Sequence, residues 1–164
     1  MRSIPSPRPA QPTVRRKVIL GVAASDSHAV ANHLIAISLR ELGFNVINLG
    51  TCTPIEEFIE AYQVHPEAEA IIIGSLNGHI HEDLRGLTAA KESGSIRCPV
   101  VVGGNLSVGS HKDGTAHDRL YTLGVDHILN DPAELPPLLD KLRVGRQSHQ
   151  HTANNGPAYV WAAS

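Results

Sequence analysis

This chain of 164 residues has little of what would tie a protein to an unusual environment. It contains two cysteines, only 4% aromatic residues and a formal net charge of −2. No apolar run approaches the roughly 20 residues that a membrane-spanning helix needs, and a nearly neutral charge gives no attraction to nucleic acid or to an anionic membrane surface. The composition therefore predicts an ordinary globular protein that has neither nucleic acid nor a membrane as a partner.

The two ends of the chain differ in composition from the middle. Residues 1–16 are basic and rich in proline, and they lack both the apolar core of a secretion signal and the regularity of an amphipathic transit helix. Cys52 and Cys98 are expected at opposite ends of the fold, too far apart for a disulfide, which favours a reducing compartment. We therefore predict a cytoplasmic protein with one domain over residues 17–143 and disordered tails over residues 1–16 and 144–164.

Strand-like and helix-like segments alternate through the middle of the chain. The strand-like segments are short, mostly β-branched and apolar on both faces, as parallel strands covered on two sides should be. Five such units predict an α/β fold with a doubly wound, flavodoxin-like (Rossmann-like) parallel sheet in the strand order 2-1-3-4-5. The predicted strands are residues 17–23, 45–49, 70–74, 99–102 and 127–129.

Three helix signals accompany these strands. An apolar repeat at helical spacing predicts that the first helix buries Ala31, Ile35, Leu39 and Leu42. The run Thr53-Pro54-Ile55-Glu56 is typical of a helix start, with a capping residue followed by proline. A similar run begins at Asp131, but the two prolines at 136 and 137 predict that the regular part of the last helix begins only there.

Polar and small residues follow the predicted strands 1, 3 and 4. In such a sheet the carboxyl ends of the strands are where ligands bind. An aspartate near a histidine can hold one ring nitrogen as N–H and leave the other as a base or a metal ligand, and glycine lets a flat ligand approach the backbone. The sequence thus predicts a slot with His28 at its mouth. The loops read Ser25-Asp26-Ser27-His28-Ala29, Gly74-Ser75-Leu76-Asn77 and Gly103-Gly104-Asn105-Leu106-Ser107.

Other common uses of this fold are disfavoured. The loop after strand 1 has no Gly-x-Gly-x-x-Gly for a dinucleotide, and the chain has no Walker-type phosphate loop. A phosphoacceptor receiver would end strand 3 with an aspartate, where this chain has Gly74-Ser75. Ser25 and Ser27 are only a weak indication of a flavin-phosphate loop.

The same loops resemble the motifs of a known family. Asp26-Ser27-His28-Ala29-Val30-Ala31 resembles the Asp-x-His-x-x-Gly signature of cobalamin-binding domains. Gly74-Ser75-Leu76 resembles their Ser-x-Leu element, and Gly103-Gly104 resembles their glycine pair. The motifs occur in the family's order, each on the expected loop. The chain most resembles the small cobalamin-binding subunits of glutamate mutase (methylaspartate mutase).

The resemblance implies a role for each matching residue. His28 would be the lower axial ligand of cobalt in place of the nucleotide base, and Asp26 would hold its other ring nitrogen. The remaining residues implied to bind the cofactor frame the ligand loop (Ser25, Ser27, Ala29) or line a groove for the displaced nucleotide tail (Gly74, Ser75, Leu76, Gly103, Gly104, Asn105, Leu106, Ser107). The chain departs from the family at Ala31 and Gly74, and at Asn77, where an aromatic residue is expected.

The resemblance also implies a function. The chain would be the adenosylcobalamin-binding component of a carbon-skeleton mutase, an isomerase that interconverts glutamate and 3-methylaspartate. It would carry no catalytic residue beyond the cobalt ligand and would act only with a large, barrel-type subunit that holds the substrate. Corrinoid methyl carriers usually place a helical domain before this fold, whereas only a short tail precedes strand 1 here. A methyl carrier, a cobalamin-sensing module and a member that has lost its cofactor remain as alternatives.

Overall fold

The computed structural model describes residues 15–104 and 114–153. Five parallel strands form one sheet in the order β2-β1-β3-β4-β5, which confirms the predicted fold class. The strands are β1 (Lys17–Val22), β2 (Asn45–Asn48), β3 (Ile71–Gly74), β4 (Val100–Gly103) and β5 (His127–Leu129).

Helices cover both faces of the sheet. They are α1 (Ala29–Glu41), α2 (Ile55–Val64), α3 (Ile80–Asp83), α4 (Leu87–Glu92), α5 (Gly114–Leu123) and α6 (Leu135–Ala153), with a 3₁₀ turn over Pro132–Glu134. Alternate residues of the strands point to opposite sides, so that one core lies under α2, α4 and α5. The other core lies under α1 and α6. This arrangement explains why the strands are apolar on both faces.

Leu39 is buried as predicted, but the buried face of α1 is otherwise shifted from the predicted stripe. Its buried residues are Asn32, Ala36 and Leu39, and Ile35 packs at the edge of the core. Ala31 is exposed, and Leu42 lies just beyond the end of the helix and is also exposed. Apolar residues occur on several sides of this helix, so their spacing alone did not define the buried face.

The start of α2 also differs in detail from the prediction. Thr53 does not cap the helix, because its hydroxyl instead lies 3.4 Å from the carbonyl oxygen of Gly50 and 3.5 Å from that of Leu49. Helix α2 begins at Ile55, directly after Pro54. Thr53 thus holds the preceding loop rather than the helix end.

The last helix begins close to the two prolines, as predicted. Asp131 accepts a hydrogen bond from the backbone N–H of Ala133 at 2.8 Å and so caps the 3₁₀ turn. Helix α6 follows from Leu135, so Pro136 and Pro137 lie in its first turn, where their missing N–H groups cost no helical bond.

The ends of the domain lie partly outside the described residues. The predicted boundary at residue 143 falls inside α6, which continues to Ala153. Residues 1–14 and 154–164 lie outside the described part of the chain, and disorder there stays a prediction. Within the described ranges, none of the helices is long and apolar enough to cross a bilayer.

Candidate functional site

The carboxylate of Asp26 joins the loops that follow β1 and β3. Asp26 is almost fully buried. Its Oδ1 accepts the backbone N–H of His28 at 2.9 Å, and its Oδ2 accepts the backbone N–H of Leu76 at 2.5 Å. Its carbonyl oxygen accepts the N–H of Cys52, in the loop after β2, at 2.9 Å. One residue therefore sets the relative position of three loops at the carboxyl edge of the sheet.

These contacts keep Asp26 ionised. Burial raises the pKa of its carboxyl group, but hydrogen bonds from the backbone N–H groups of His28 and Leu76 and from the His28 ring lower it by more. The net result is a pKa below the ordinary value. A buried carboxylate is tolerated here because its oxygens are occupied by donors.

The same carboxylate determines which nitrogen of His28 is free. His28 Nδ1 lies 2.5 Å from Asp26 Oδ1. An ionised carboxylate can only accept, so Nδ1–H is the donor and the neutral ring carries its lone pair on Nε2. The His28 side chain is 61% exposed. The arrangement presents an accessible imidazole with a defined tautomer, which is what a metal ligand requires.

A second polar network holds the loop after β1 from the other side. The Asn77 amide donates to the carbonyl oxygen of Ser25 at 2.6 Å and to its hydroxyl at 2.9 Å. The Ser25 hydroxyl donates to the carboxylate of Asp83 in α3 at 2.6 Å. Asn77, which replaces an expected aromatic residue, thus contacts the ligand loop rather than the cavity described next.

An apolar cavity of about 360 Å³ opens beside His28. It lies between α1, the carboxyl ends of β1, β3, β4 and β5, and the start of α6. Of the predicted site residues, seven line it: Asp26, His28, Gly74, Ser75, Leu76, Gly103 and Gly104. Ser25 and Ser27 belong to the adjoining loop and Ala29 begins α1, and none of the three lines the cavity. Asn105, Leu106 and Ser107 lie outside the described residues.

Glycine at the strand ends keeps this cavity open. Gly104 has a φ of +119°, and a Cβ there would lie 2.1 Å from the carbonyl oxygen of Ser75. A Cβ on the neighbouring Gly103 would make only ordinary contact, 3.5 Å from the carbonyl oxygen of Leu129. The backbone conformation and the nearby carbonyl group therefore require glycine at position 104 but not at position 103.

Several walls of the cavity were not predicted from the sequence. Helix α1 contributes Asn32 and Ile35, and the segment leading into α6 contributes Pro132 and Leu135. Asn32 is nearly fully buried, and its Nδ2 has no hydrogen-bond partner among the described residues. Such an unmet donor costs about 1–3 kcal/mol. Asn32 was omitted because the predicted apolar stripe of α1 contained Ala31 and not the neighbouring Asn32.

Comparison with known proteins defines the class. The B12 binding domain model matches residues 16–130, and the chain belongs to this family. The chain is 32% identical over 141 residues to glutamate mutase sigma subunit 2 of Haloarcula marismortui, covering 85% of this chain and 95% of the relative. It is 40% identical over 113 residues to the glutamate mutase sigma subunit of Treponema denticola, covering 68% and 81%. The family resemblance inferred from the three motifs is confirmed.

A solved structure shares the fold. The methanol:cobalamin methyltransferase complex MtaBC from Methanosarcina barkeri superposes with a TM-score of 0.67 at 22% identity, over 84% of this chain and 50% of that chain. At this identity the likeness concerns the fold alone.

The residues of the site fit a cobalamin. The imidazole of His28 has one nitrogen occupied by Asp26 and the other free. Next to it lies an apolar cavity large enough for an aromatic group, with one unpaired buried amide on its wall. An exposed metal ligand beside an apolar slot suits a cofactor that has both a metal centre and a detachable organic tail.

The glycine pair yields a prediction from adjacent positions. We expect Gly104→Ala to destabilise the protein by about 1–3 kcal/mol, because the new methyl group would overlap the Ser75 carbonyl at a positive φ. Gly103→Ala should cost much less. Urea unfolding of both variants without ligand measures the difference, and equal losses would contradict this interpretation of the turn.

The buried carboxylate yields a second prediction. Asp26→Asn would place an amide NH₂ group against a backbone N–H group. We therefore expect the free energy of unfolding to fall by about 1–3 kcal/mol near neutral pH. Because the pKa of Asp26 is lowered in the folded state, its stabilising effect is present above the ordinary aspartate pKa and is lost as the pH falls through the lowered value. Urea unfolding over a pH series should therefore show the two proteins converging in acid.

The matched control for that series is Asp131→Asn. Asp131 also accepts a backbone N–H, that of Ala133, but asparagine caps a helix start about as well as aspartate. Its stability should stay close to that of the wild type at every pH. A constant difference between wild type and Asp26→Asn down to strong acid would contradict the role given to the Asp26 charge.

Proposed function

We propose that this chain is the cobalamin-binding subunit of a glutamate mutase, and that it is active only when joined to a separate large subunit. The observation that carries the proposal is the His28–Asp26 pair at the mouth of the apolar cavity. Membership in the B12-binding domain family and similarity to glutamate mutase sigma subunits support it.

In this proposal the chain holds and orients the cofactor. His28 would hold the cobalt of the cofactor through Nε2, while Asp26 fixes the ring orientation and raises the basicity of the imidazole. The cavity between α1 and α6, where Gly74, Gly103 and Gly104 leave room, would hold the nucleotide tail of the cofactor. When bound, adenosylcobalamin would supply the radical chemistry of the reaction. The reaction itself is the isomerisation of glutamate to 3-methylaspartate.

The large subunit has two roles in the proposal, namely covering the upper face of the cofactor and binding the substrate. The His28 side chain is open to solvent on this chain. Beside it, α1 exposes the apolar side chains of Val30, Leu34 and Ile37, spaced so that they share one helix face. Exposed apolar side chains grouped next to a site are typical of a contact surface. We propose that a barrel-type large subunit packs on this face.

The compartment remains a prediction. Cys52 is exposed and Cys98 is buried, and both are free thiols. Free thiols are expected in a reducing cytoplasm, where we propose that the protein works.

The ligand role of His28 can be tested by spectroscopy. The chain mixed with adenosylcobalamin should show the absorption spectrum of a histidine-ligated cofactor whose own base has left the metal. His28→Ala should abolish this change, because it removes the imidazole that the described residues place at the mouth. His33→Ala, on the exposed side of the same helix, is the matched control and should behave as wild type. Histidine ligation that survives in His28→Ala would refute the assignment.

The contact surface can be tested with two exposed leucines. Leu34 is 60% exposed near the mouth, and Leu42 is 58% exposed just beyond the far end of α1. With a glutamate mutase large subunit and adenosylcobalamin, Leu34→Glu should weaken assembly about tenfold or more, as expected for a charge placed in an apolar contact. Leu42→Glu should assemble normally, and both should bind cobalamin as wild type.

Light scattering and the rate of isomerisation measure that effect. If Leu34→Glu and Leu42→Glu weaken assembly equally, the exposed face of α1 is not the contact surface. Isomerase activity of this chain alone would contradict the need for a large subunit.

A further inference from the structure

The side chain of Asn32 is held in one orientation by its neighbours. Its Oδ1 accepts the amide N–H of Asn48 at 2.6 Å, and the Oδ1 of Asn48 in turn accepts the backbone N–H of Gly50 at 3.0 Å. If the Asn32 amide were flipped, its NH₂ group would face the NH₂ group of Asn48. The chain of hydrogen bonds therefore leaves Nδ2 as the atom of Asn32 that has no partner.

This unpaired donor is buried on the wall of the cavity. Asn32 is 4% exposed and lines the cavity together with Ala31 and Ile35, which offer no side-chain acceptor. It lies four residues after His28, one helical turn or about 6 Å along α1, which places it just inside the mouth. Buried amide donors in folded proteins nearly always have a partner, so an unpaired one on the wall of a binding cavity indicates an acceptor on the ligand.

The other buried polar side chains of the cavity, those of Asp26 and Ser75, are already engaged. Both carboxylate oxygens of Asp26 accept backbone N–H groups. The hydroxyl of Ser75 faces the side-chain oxygen of Asn77 at 3.4 Å. At position 74, the first position of the Ser-x-Leu element, this chain has glycine and so no hydroxyl. Asn130 also lines the cavity, but it is exposed, so water can satisfy its amide. Among the described residues, Asn32 is therefore the buried side chain of the cavity that has an unused hydrogen-bond donor.

We propose that Asn32 Nδ2 donates a hydrogen bond to an acceptor on the nucleotide tail of the cobalamin. The proposal rests on the proposed function, because it assigns that cavity to the tail. Asn32 is then a positioning residue that selects corrinoids with an acceptor at the right depth. The acceptor is a ring nitrogen of the displaced base or an oxygen of the sugar-phosphate link, which share this chemistry.

The test compares binding of cobalamin with binding of cobinamide, a corrinoid that lacks the nucleotide tail. Asn32→Leu removes the donor and keeps the volume similar. We expect its dissociation constant for cobalamin to rise about tenfold, whereas that for cobinamide stays within about twofold of wild type. Absorption titration gives both constants and also reports whether His28 still ligates the metal in the variant.

Asn48→Leu is the matched control, since it breaks the same hydrogen bond between the two amides but retains the amide donor of Asn32. It should affect the two corrinoids to the same small extent. If Asn32→Leu does not fold, Asn32→Asp serves instead, because it still accepts from Asn48 and replaces the donor by an acceptor. It should show the same selective loss for cobalamin.

The outcomes separate this proposal from the proposed function. Equal losses for cobalamin and cobinamide, or no loss for cobalamin, would overturn the role of Asn32 while the histidine-ligated spectrum of the wild type upholds the function. A wild type that binds neither corrinoid would overturn both. A cobamide whose lower group is a phenol, with no ring nitrogen, identifies the acceptor. If Asn32→Leu also weakens binding of this cobamide, the acceptor is a sugar-phosphate oxygen. If it does not, the acceptor is the ring nitrogen of the base.

Discussion

The site depends on a buried carboxylate that is saturated with hydrogen bonds. Asp26 receives the backbone N–H groups of His28 and Leu76, so the ends of β1 and β3 are joined by one side chain. The same group fixes the tautomer of His28. A weaker acceptor could not compensate for its own burial at this position. Loop geometry and ligand chemistry therefore have a common origin, and neither can be altered without the other.

The cavity beside this carboxylate follows from how the sheet ends. Strands β3 and β4 are paired in register and both finish in glycine, with Gly74 opposite Gly103. Below them the same strands carry isoleucine and valine, which fill the core. The change from bulky to minimal side chains occurs at the same height on neighbouring strands, so the core stops and a cavity begins. Helices α1 and α6 supply its side walls.

Much of this architecture could be predicted from the sequence, because it depends on local patterns. Strand order, the three loops and the position of His28 follow from alternating segments and short motifs. The buried face of α1 could not be predicted, since Val30, Leu34 and Ile35 make several faces apolar. The pairing of Asn32 with Asn48 depends on how α1 lies over β2, 16 residues further along the chain. Such long-range contacts leave no periodic signal.

Helix α1 departs from the usual rules of a surface helix in two opposite ways. It buries an amide whose donor has no protein partner, and it exposes Val30, Leu34 and Ile37 to solvent. Each departure destabilises the isolated chain, and natural sequences tolerate such conflicts mainly where function requires them. Both occur on the helix that follows the metal-ligand loop, one on the face toward the cavity and one on the outer face. We therefore interpret α1 as the element where cofactor and partner meet, with His28 at the N-cap position directly before it.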